Sequence, residues 1–379
     1  MRQRGAVLVL SAAFVASAGP ASAIPAFARR YKVECHFCHD GFPKLNVTGQ
    51  RFKERGFRME REDAFDASAW LRSVPLTIRA EGTRSLQEKG DDFTYGFFKG
   101  ISAGNLGRRL AYWVDDAVFV SKDDTTHVKP DNGWLRAEIV TGGKLYAKAG
   151  RFELDLPFSQ ARTPHLLSYE IYSFNTGLER DNIGEHQEGL EVGGDLPQDV
   201  HWSAAVVKGR NTEQAERFTS EAGKFDGNLF LRLAKRISQN RIGAFAYIGR
   251  NTLATAPNVT FRDDLLRVGA DASVWAQRLN LYGVYMYGKN DNSTGTGKSL
   301  SFNGGFLQAD YHIGDAAAVT LRVNAMSQPT GSTGAKQTFT SLYPGLQIFI
   351  FHQGKLSFEY GFLNKDRPSF GAVQAEVAF

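Results

Sequence analysis

The sequence predicts an all-β fold, in which a small α-helical N-terminal domain precedes a sixteen-stranded antiparallel transmembrane β-barrel of the outer-membrane type. From about residue 74 the chain consists of short alternating runs, such as 76–81, that are separated by turn residues. The connections between these runs alternate between short and long. The preceding segment is instead dense in basic residues and contains both cysteines. We therefore divide the chain into residues 1–23, 24–70 and 71–379.

Residues 1–23 have the pattern of a secretory signal peptide. Two early arginines precede an apolar run over 6–18, and the small residues at 21–23 supply a cleavage site. The alternative is a transmembrane anchor, but the run is too short and too rich in alanine to span a bilayer. We expect an exported chain whose mature form begins near Ile24.

The predicted barrel strands have about the length that a tilted membrane-spanning strand needs. An even number of strands, with short turns at one end and long loops at the other, is typical of bacterial outer-membrane barrels and brings both barrel termini to the periplasm. The last strand ends on Phe379, and a terminal aromatic residue resembles the C-terminal signature of such barrels. A misread marginal run, such as 92–103, would change the count to fourteen or eighteen. The predicted strands are 74–84, 92–103, 108–121, 132–142, 144–153, 186–195, 199–209, 225–236, 240–250, 263–275, 278–289, 302–313, 316–327, 338–351, 354–364 and 370–379. Long polar loops are predicted near 122–131, 154–185, 210–224, 251–262, 290–301 and 328–337.

The composition agrees with a large exported β-protein. The chain has 39 Gly, 28 Phe and 13 Tyr but 2 Cys, so a disulfide framework is not expected. A formal net charge of +5 is small for 379 residues and does not indicate a nucleic-acid partner.

The motif that carries chemistry is Cys35-His36-Phe37-Cys38-His39, a C-x-x-C-H sequence typical of c-type haem attachment. Two thiols three positions apart on one helical turn can bond the two vinyl groups of one porphyrin, and His39 then becomes the proximal iron ligand. The sequence therefore predicts one haem c and a monohaem cytochrome c domain over 24–70.

Two other readings of the motif are weaker. A thioredoxin-like dithiol would need a surrounding βαβ pattern and would have no use for His39. A structural zinc site would need four ligands, and the sequence contains no second cysteine pair.

The sixth iron ligand is less well specified. Met59 is the only methionine between residues 24 and 70, and a thioether opposite histidine raises the haem potential. Met59 could instead pack in a small core, the sixth position could be open, or a barrel histidine could reach the iron. We take Met59 as the candidate distal ligand.

The sequence around the motif resembles the haem segment of fused monohaem cytochrome–porins, the family of bacterial outer-membrane iron oxidases. The resemblance covers roughly 25 residues. In that family a Pro-x-Leu-Asn-x-x-Gly-x-x-Phe pattern follows the haem motif, and here it corresponds to Pro43, Leu45, Asn46, Gly49 and Phe52. The resemblance implies a haem domain joined to a sixteen-stranded porin, with Fe(II) as an electron donor.

These features predict electron transfer through the outer membrane, with the haem domain entering the barrel lumen from the periplasmic side. An extracellular donor such as Fe(II) would give electrons to the haem, and a periplasmic c-type cytochrome or another soluble carrier would accept them. The chain would then be an Fe(II)–cytochrome c oxidoreductase. The sequence specifies neither the direction of electron flow nor the oligomeric state.

Two rival functions stay open at this stage. One is a diffusive porin with a periplasmic cytochrome appendage, in which the 154–185 loop, with Pro157, Arg162, Pro164 and His165, folds inward as a constriction. The other is a haem sensor or peroxidase with an open sixth position.

Overall fold

The computed structural model describes residues 26–41, 43–59, 76–86, 93–121, 126–159, 166–167, 169–175, 180–208, 227–256, 259–330, 335–350, 354–363 and 369–378. The predicted signal peptide and Phe379 lie outside these residues. The N-terminal part contains α1 (Ala26–Tyr31), a 3₁₀ helix (Cys35–Phe37) and α2 (Val47–Glu54). In the described ranges, no helix has the length and apolar character that a bilayer crossing requires.

Eighteen strands follow in the described ranges, after the three N-terminal helical elements. They are β1 (Leu76–Ser85), β2 (Phe93–Asn105), β3 (Leu110–Ser121), β4 (Thr126–Val140), β5 (Leu145–Glu153), β6 (Ser173–Asn175), β7 (Arg180–Asn182), β8 (His186–Leu196), β9 (Val200–Val207), β10 (Asn228–Ile237), β11 (Asn240–Ala256), β12 (Val259–Ala276), β13 (Leu279–Asn290), β14 (Leu300–Ile313), β15 (Ala317–Thr330), β16 (Ala335–Ile350), β17 (Gly354–Leu363) and β18 (Phe370–Ala378).

Sixteen of these strands form one closed barrel of antiparallel neighbours. Pairing of β1 with β18, with Arg79 opposite Ala378, completes the circle. β6 and β7 stand apart as a small hairpin. Each of the sixteen predicted runs coincides with one barrel strand, so the predicted fold class is confirmed.

Several predicted loops are shorter than expected because the strands continue into them. β4 begins at Thr126, β11 ends at Ala256 and β12 begins at Val259, so most of 122–131 and 251–262 is strand. The ladder there joins polar residues such as Asn251 and Asp263. Backbone pairing persists beyond the point at which apolar alternation, the sequence signal, ends.

The two ends of the barrel differ in the length of their connections. The turn end carries the short connections 106–109, 141–144, 197–199, 238–239, 277–278 and 314–316, and the first strand begins there. The loop end is the opposite end and carries the 154–185 connection.

The barrel wall follows the two-residue period of its strands. In β10, Phe230 and Arg232 are buried and point into the barrel, whereas Leu231 and Leu233 are exposed on the outside. The outer surface elsewhere carries side chains such as Leu190 and Leu307, which are 65% and 63% exposed. A continuous apolar exterior around a polar interior is typical of barrels that face lipid.

The described part of the 154–185 connection folds into the barrel. Tyr169 stacks on Phe306 of β14 with ring centroids 4.4 Å apart and nearly parallel planes. Arg322 of β15 donates to Leu167 O at 3.1 Å, and Tyr343 of β16 donates to a Glu170 carboxylate oxygen. The segment and the wall share one buried apolar cluster, which fills that side of the lumen.

The N-terminal segment 26–59, which we call the plug, contacts the barrel at the turn end. Phe57 stacks on Trp134 of β4 with ring centroids 5.7 Å apart. The Arg58 guanidinium donates to the carbonyl oxygens of Gly107 and Leu110, at a turn. Glu54 forms an ion pair with Arg236 at the end of β10. The plug is therefore held across the mouth of the barrel from several strands.

Lys44 provides the clearest anchor of the plug. Its Nζ donates to Asn280 Oδ1 and to Asp310 Oδ2, both at 2.7 Å, and lies 4.1 Å from the centre of the Tyr282 ring. The Asp310 side chain is 3% exposed, so the ion pair is screened little by water. Asp310 also accepts hydrogen bonds from Tyr282 and Gln308.

We expect Lys44→Met to weaken plug docking by about 2 kcal/mol, because it removes a charge-assisted bond while Asp310 keeps two other donors. Chymotrypsin digestion of the folded protein measures this as a roughly 30-fold faster cleavage within the plug. Lys289→Met is the control, because its ion pair with Asp291 is exposed. Equal cleavage rates in wild type and Lys44→Met would show that this contact does not hold the plug.

Candidate functional site

The C-x-x-C-H motif forms one compact turn. The backbone N–H groups of Cys38 and His39 both donate to Cys35 O, at 3.2 and 3.0 Å, which closes the 3₁₀ helix. His39 then forms an isolated antiparallel bridge with Leu45. Cys35, Cys38 and His39 all line the same cavity. The structure therefore brings the three predicted haem-binding side chains together on one wall.

Both cysteines are free thiols of intermediate exposure. Burial raises the pKa of Cys35, and burial together with the neighbouring Cys35 raises the pKa of Cys38 to about 11. Both thiols are therefore neutral at neutral pH. A dithiol redox couple instead depends on a thiol whose pKa is lowered, so this environment argues against the thioredoxin-like reading.

Asn46 and Gly49 hold the motif against α2. Asn46 caps α2 by accepting from Gly49 N at 2.9 Å, and its amide donates to the carbonyl oxygens of His36 and Phe37. Gly49 packs directly on the motif, since a Cβ at this position would lie 2.2 Å from Cys38 O. These two residues of the family pattern therefore shape the turn.

Other residues of the family pattern lie on the cavity. Pro43, Leu45 and Phe52 line it together with Gly49. Phe52 is buried and meets Phe27 of α1 edge-on, with ring centroids 5.0 Å apart. Asn46 is the member of the pattern that acts through capping. The residues of the pattern thus either line the cavity or support the turn that carries the motif.

The cavity is enclosed by the plug and by the barrel wall together. Its volume is about 210 Å³, and it is partly open to solvent. Most of the plug residues around it are apolar, a lining that suits a flat macrocycle bearing a few polar groups. Wall residues from β1 to β4 and β18 complete it. They are Thr77, Arg79, Lys99, Ile101, Ala103, Trp113, Asp115, Asn132 and Ala378.

Met59 also lines the cavity and packs against the buried apolar cluster of Phe52, Phe57, Ala103 and Ala111. The position agrees with its prediction as a distal ligand and equally with a packing role. None of the barrel histidines whose side chains are described lines the cavity: His186 bonds to Asn132, His201 bonds to Asp195, and the His312 ring lies 5.6 Å from the Trp275 ring. His127, His165 and His352 lie outside the described side chains.

The sequence analysis did not identify the barrel residues that line the cavity. Arg79, Lys99 and Asp115 point inward from three adjacent strands, and no local motif marks them. Their inward orientation follows from strand parity, which could have identified them as lumen residues. Their position next to the motif depends on how the plug docks, which no local pattern encodes.

A second polar cluster lies at the turn end. In the described part of the chain, Glu54, Asp195 and His201 form one group close enough to share an ion. Arg236 pairs with both Glu54 and Asp195, and His201 bonds to Asp195 at 2.8 Å. The carboxylates are therefore already paired with cationic groups, and the cluster acts as an ionic contact between plug and wall. Neither cysteine belongs to it, so the zinc reading of the motif gains no support.

Comparisons with known proteins identify the fold. No protein-family model matches the chain, and no curated protein does. Among solved structures, OmpF of Salmonella typhi in complex with daunomycin has 12% sequence identity and a TM-score of 0.58, over 80% of this chain and 97% of that one. The fold is that of the outer-membrane porins.

Two further structures agree with this result. An anion-selective porin from Comamonas acidovorans has 13% identity and a TM-score of 0.57, over 80% of this chain and 98% of that one. OmpT of Vibrio cholerae, in its trimer form, has 10% identity and a TM-score of 0.57 over the same shares of the two chains. Similarity at this level of sequence identity establishes the porin fold alone. The function has to be inferred from the residues of the candidate site.

We expect Gly49→Ala to destabilise the motif locally by about 2 kcal/mol, because the added methyl group overlaps the Cys38 carbonyl. Hydrogen exchange followed by mass spectrometry should then show roughly 30-fold faster exchange in peptides covering 35–50. Thr48→Ala, at an exposed position of the same helix, should leave exchange nearly unchanged. If the two variants exchange alike, α2 does not support the motif as described.

Proposed function

We propose that this chain is an outer-membrane electron carrier in which one haem c, attached to Cys35 and Cys38, is held between the plug and a porin-type barrel. The observation that carries the proposal is that both thiols and His39 line a single cavity whose lining is mostly apolar. When bound, haem c supplies a one-electron iron couple. His39 would be its proximal ligand and Met59 its distal ligand.

The outer membrane is the proposed location. The porin fold, the apolar exterior and the predicted signal peptide all support it. Because the first and last barrel strands have their free ends at the turn end, the plug would face the periplasm and the loop end would face outward. The plug would then present its outer surface to a soluble periplasmic carrier, such as a c-type cytochrome.

The interior of the barrel favours electron transfer over free diffusion of solutes. The plug contacts the turn end, while Tyr169 and its neighbours occupy the lumen beside β14 to β16. Trp134 packs against two buried apolar clusters. One includes Phe52 and Phe57 of the plug, and the other includes Tyr169 of the inward-folded connection. An arrangement of this kind narrows the path for solutes and places apolar side chains around the cavity.

A diffusive porin is the second candidate, favoured by the architecture that the chain shares with known porins. Planar-bilayer recording separates the two functions. An electron carrier with a filled lumen should show little conductance, and removal of residues 26–59 should raise it. Large, steady single-channel currents from the full chain would favour the diffusive porin.

The decisive test uses the full chain with its haem, reconstituted in liposomes and monitored by stopped-flow absorbance. Fe(II) is added outside only, and a ferrous chelator sealed inside reports leakage. In vesicles whose loop end faces outward, Fe(II) loses one electron to the haem iron, so we expect rapid reduction without chelator colour. The Cys35→Ser/Cys38→Ser variant controls for signals that do not require attached haem.

A haem that stays oxidised with external Fe(II), but is reduced by a reductant sealed on the plug side, would overturn transfer from Fe(II) at the outer face. It would leave a porin with a periplasmic cytochrome. Rapid binding of CO to the ferrous protein would instead indicate an open sixth position and a sensor or peroxidase.

A further inference from the structure

Two cations of the barrel wall face the cavity from directly opposite positions. Arg79 of β1 and Lys99 of β2 are paired in the antiparallel register, and both side chains line the cavity. Like charges directly opposite each other on neighbouring strands destabilise a sheet. An anionic group placed between the two would remove this repulsion.

Carboxylates of the barrel wall already pair with both cations. Arg79 contacts Glu81 at 2.9 Å and Glu376 at 2.6 Å, and Glu376 also pairs with Lys355 at 3.1 Å. Glu376 is therefore shared between two cations. Each of these side chains is largely buried, so water screens their charges little.

Lys99 lies 3.2 Å from Asp115. Asp115 also accepts from the Trp113 indole at 2.8 Å, and from the backbone and side-chain nitrogens of Asn132 at 2.8 and 3.3 Å. With three such donors, Asp115 keeps satisfied hydrogen bonds when the Lys99 ammonium turns toward the cavity. The Lys99 ammonium can therefore bind an anionic group in the cavity.

Haem c carries two propionate carboxylates, and a buried carboxylate is costly unless a cation or hydrogen-bond donors meet it. Among the described lining residues, the cations are Lys53, Arg79 and Lys99. Lys53 is on the plug with a side chain 33% exposed, whereas Arg79 and Lys99 are 17% and 10% exposed on the wall. Arg79 and Lys99 are therefore shielded from water more than Lys53 is, and they are the stronger candidates to bind two buried carboxylates.

We propose that Arg79 and Lys99 bind the two propionate groups of the haem, so that the barrel wall completes a site that the plug begins. This inference rests on the proposed haem function. It makes Arg79 and Lys99 positioning residues, which fix the macrocycle against β1 and β2 and raise its reduction potential.

The test measures the midpoint potential of the attached haem, by spectroelectrochemistry, in Arg79→Gln and Lys99→Gln. Loss of a cation beside a propionate favours the more positive oxidised iron, so the potential should fall. We expect about a tenfold change in the reduction equilibrium, which is about 59 mV for a one-electron couple. The pH range over which the potential varies should also move upward, because the propionates then protonate more easily.

Matched variants separate propionate binding from general electrostatics. Lys355→Gln removes a cation from the same ionic network on β17, two strands from Arg79, and should shift the potential much less. Arg79→Gln/Glu376→Gln removes one charge of each sign, yet the potential should still fall. Arg79→Lys should restore most of the wild-type value.

The results distinguish failure of propionate binding from failure of the proposed haem function. Attached haem, verified by its pyridine haemochrome spectrum, with potentials and pH dependence unchanged in both single variants would overturn propionate binding and leave the haem function intact. Equal shifts in Arg79→Gln and Lys355→Gln would also overturn it. A wild-type chain that, matured with a haem-attachment system, carries no covalent haem would overturn both proposals.

Discussion

Closure of the sheet between β1 and β18 is the constraint on which the other features depend. A closed barrel leaves no strand edge, so every wall residue is fixed as inward or outward by its position along a strand. Register then decides which inward residues meet. Arg79 faces Lys99, and Asp115 follows on β3, because three strands pair at fixed offsets. The cavity wall is thus a consequence of barrel closure.

The sequence predicted the barrel well because its signal is local. Alternation between lipid-facing apolar and lumen-facing residues repeats in each strand, and β10 shows it without interruption. The ends of strands were less predictable, since beyond the apolar band the ladder joins polar residues such as Asn251 and Asp263. The hairpin β6–β7 was missed because strands of three residues have no measurable period.

Some residues of the candidate site could likewise be predicted from local sequence, and others could not. Cys35, Cys38 and His39 could be predicted because adjacent residues on one turn carry the chemistry of the motif. The contribution of β1, β2 and β3 could not, because it arises when the plug meets strands tens of residues away along the chain. Lys44 illustrates the difference: its partners, Asn280 and Asp310, are separated from it by 236 and 266 positions.

On the proposed function, the shared cavity would also impose an order on the maturation of the protein. In the assembled protein both thiols are partly buried and face a wall that belongs to a different part of the chain. If haem c is attached as proposed, the macrocycle needs an approach to both sulfur atoms, so attachment would take place while the N-terminal segment is still separate from the strands. A barrel that closed first around an unloaded segment would restrict access to the thiols. On the proposed function, the cofactor would therefore be bound before the barrel closes around the plug.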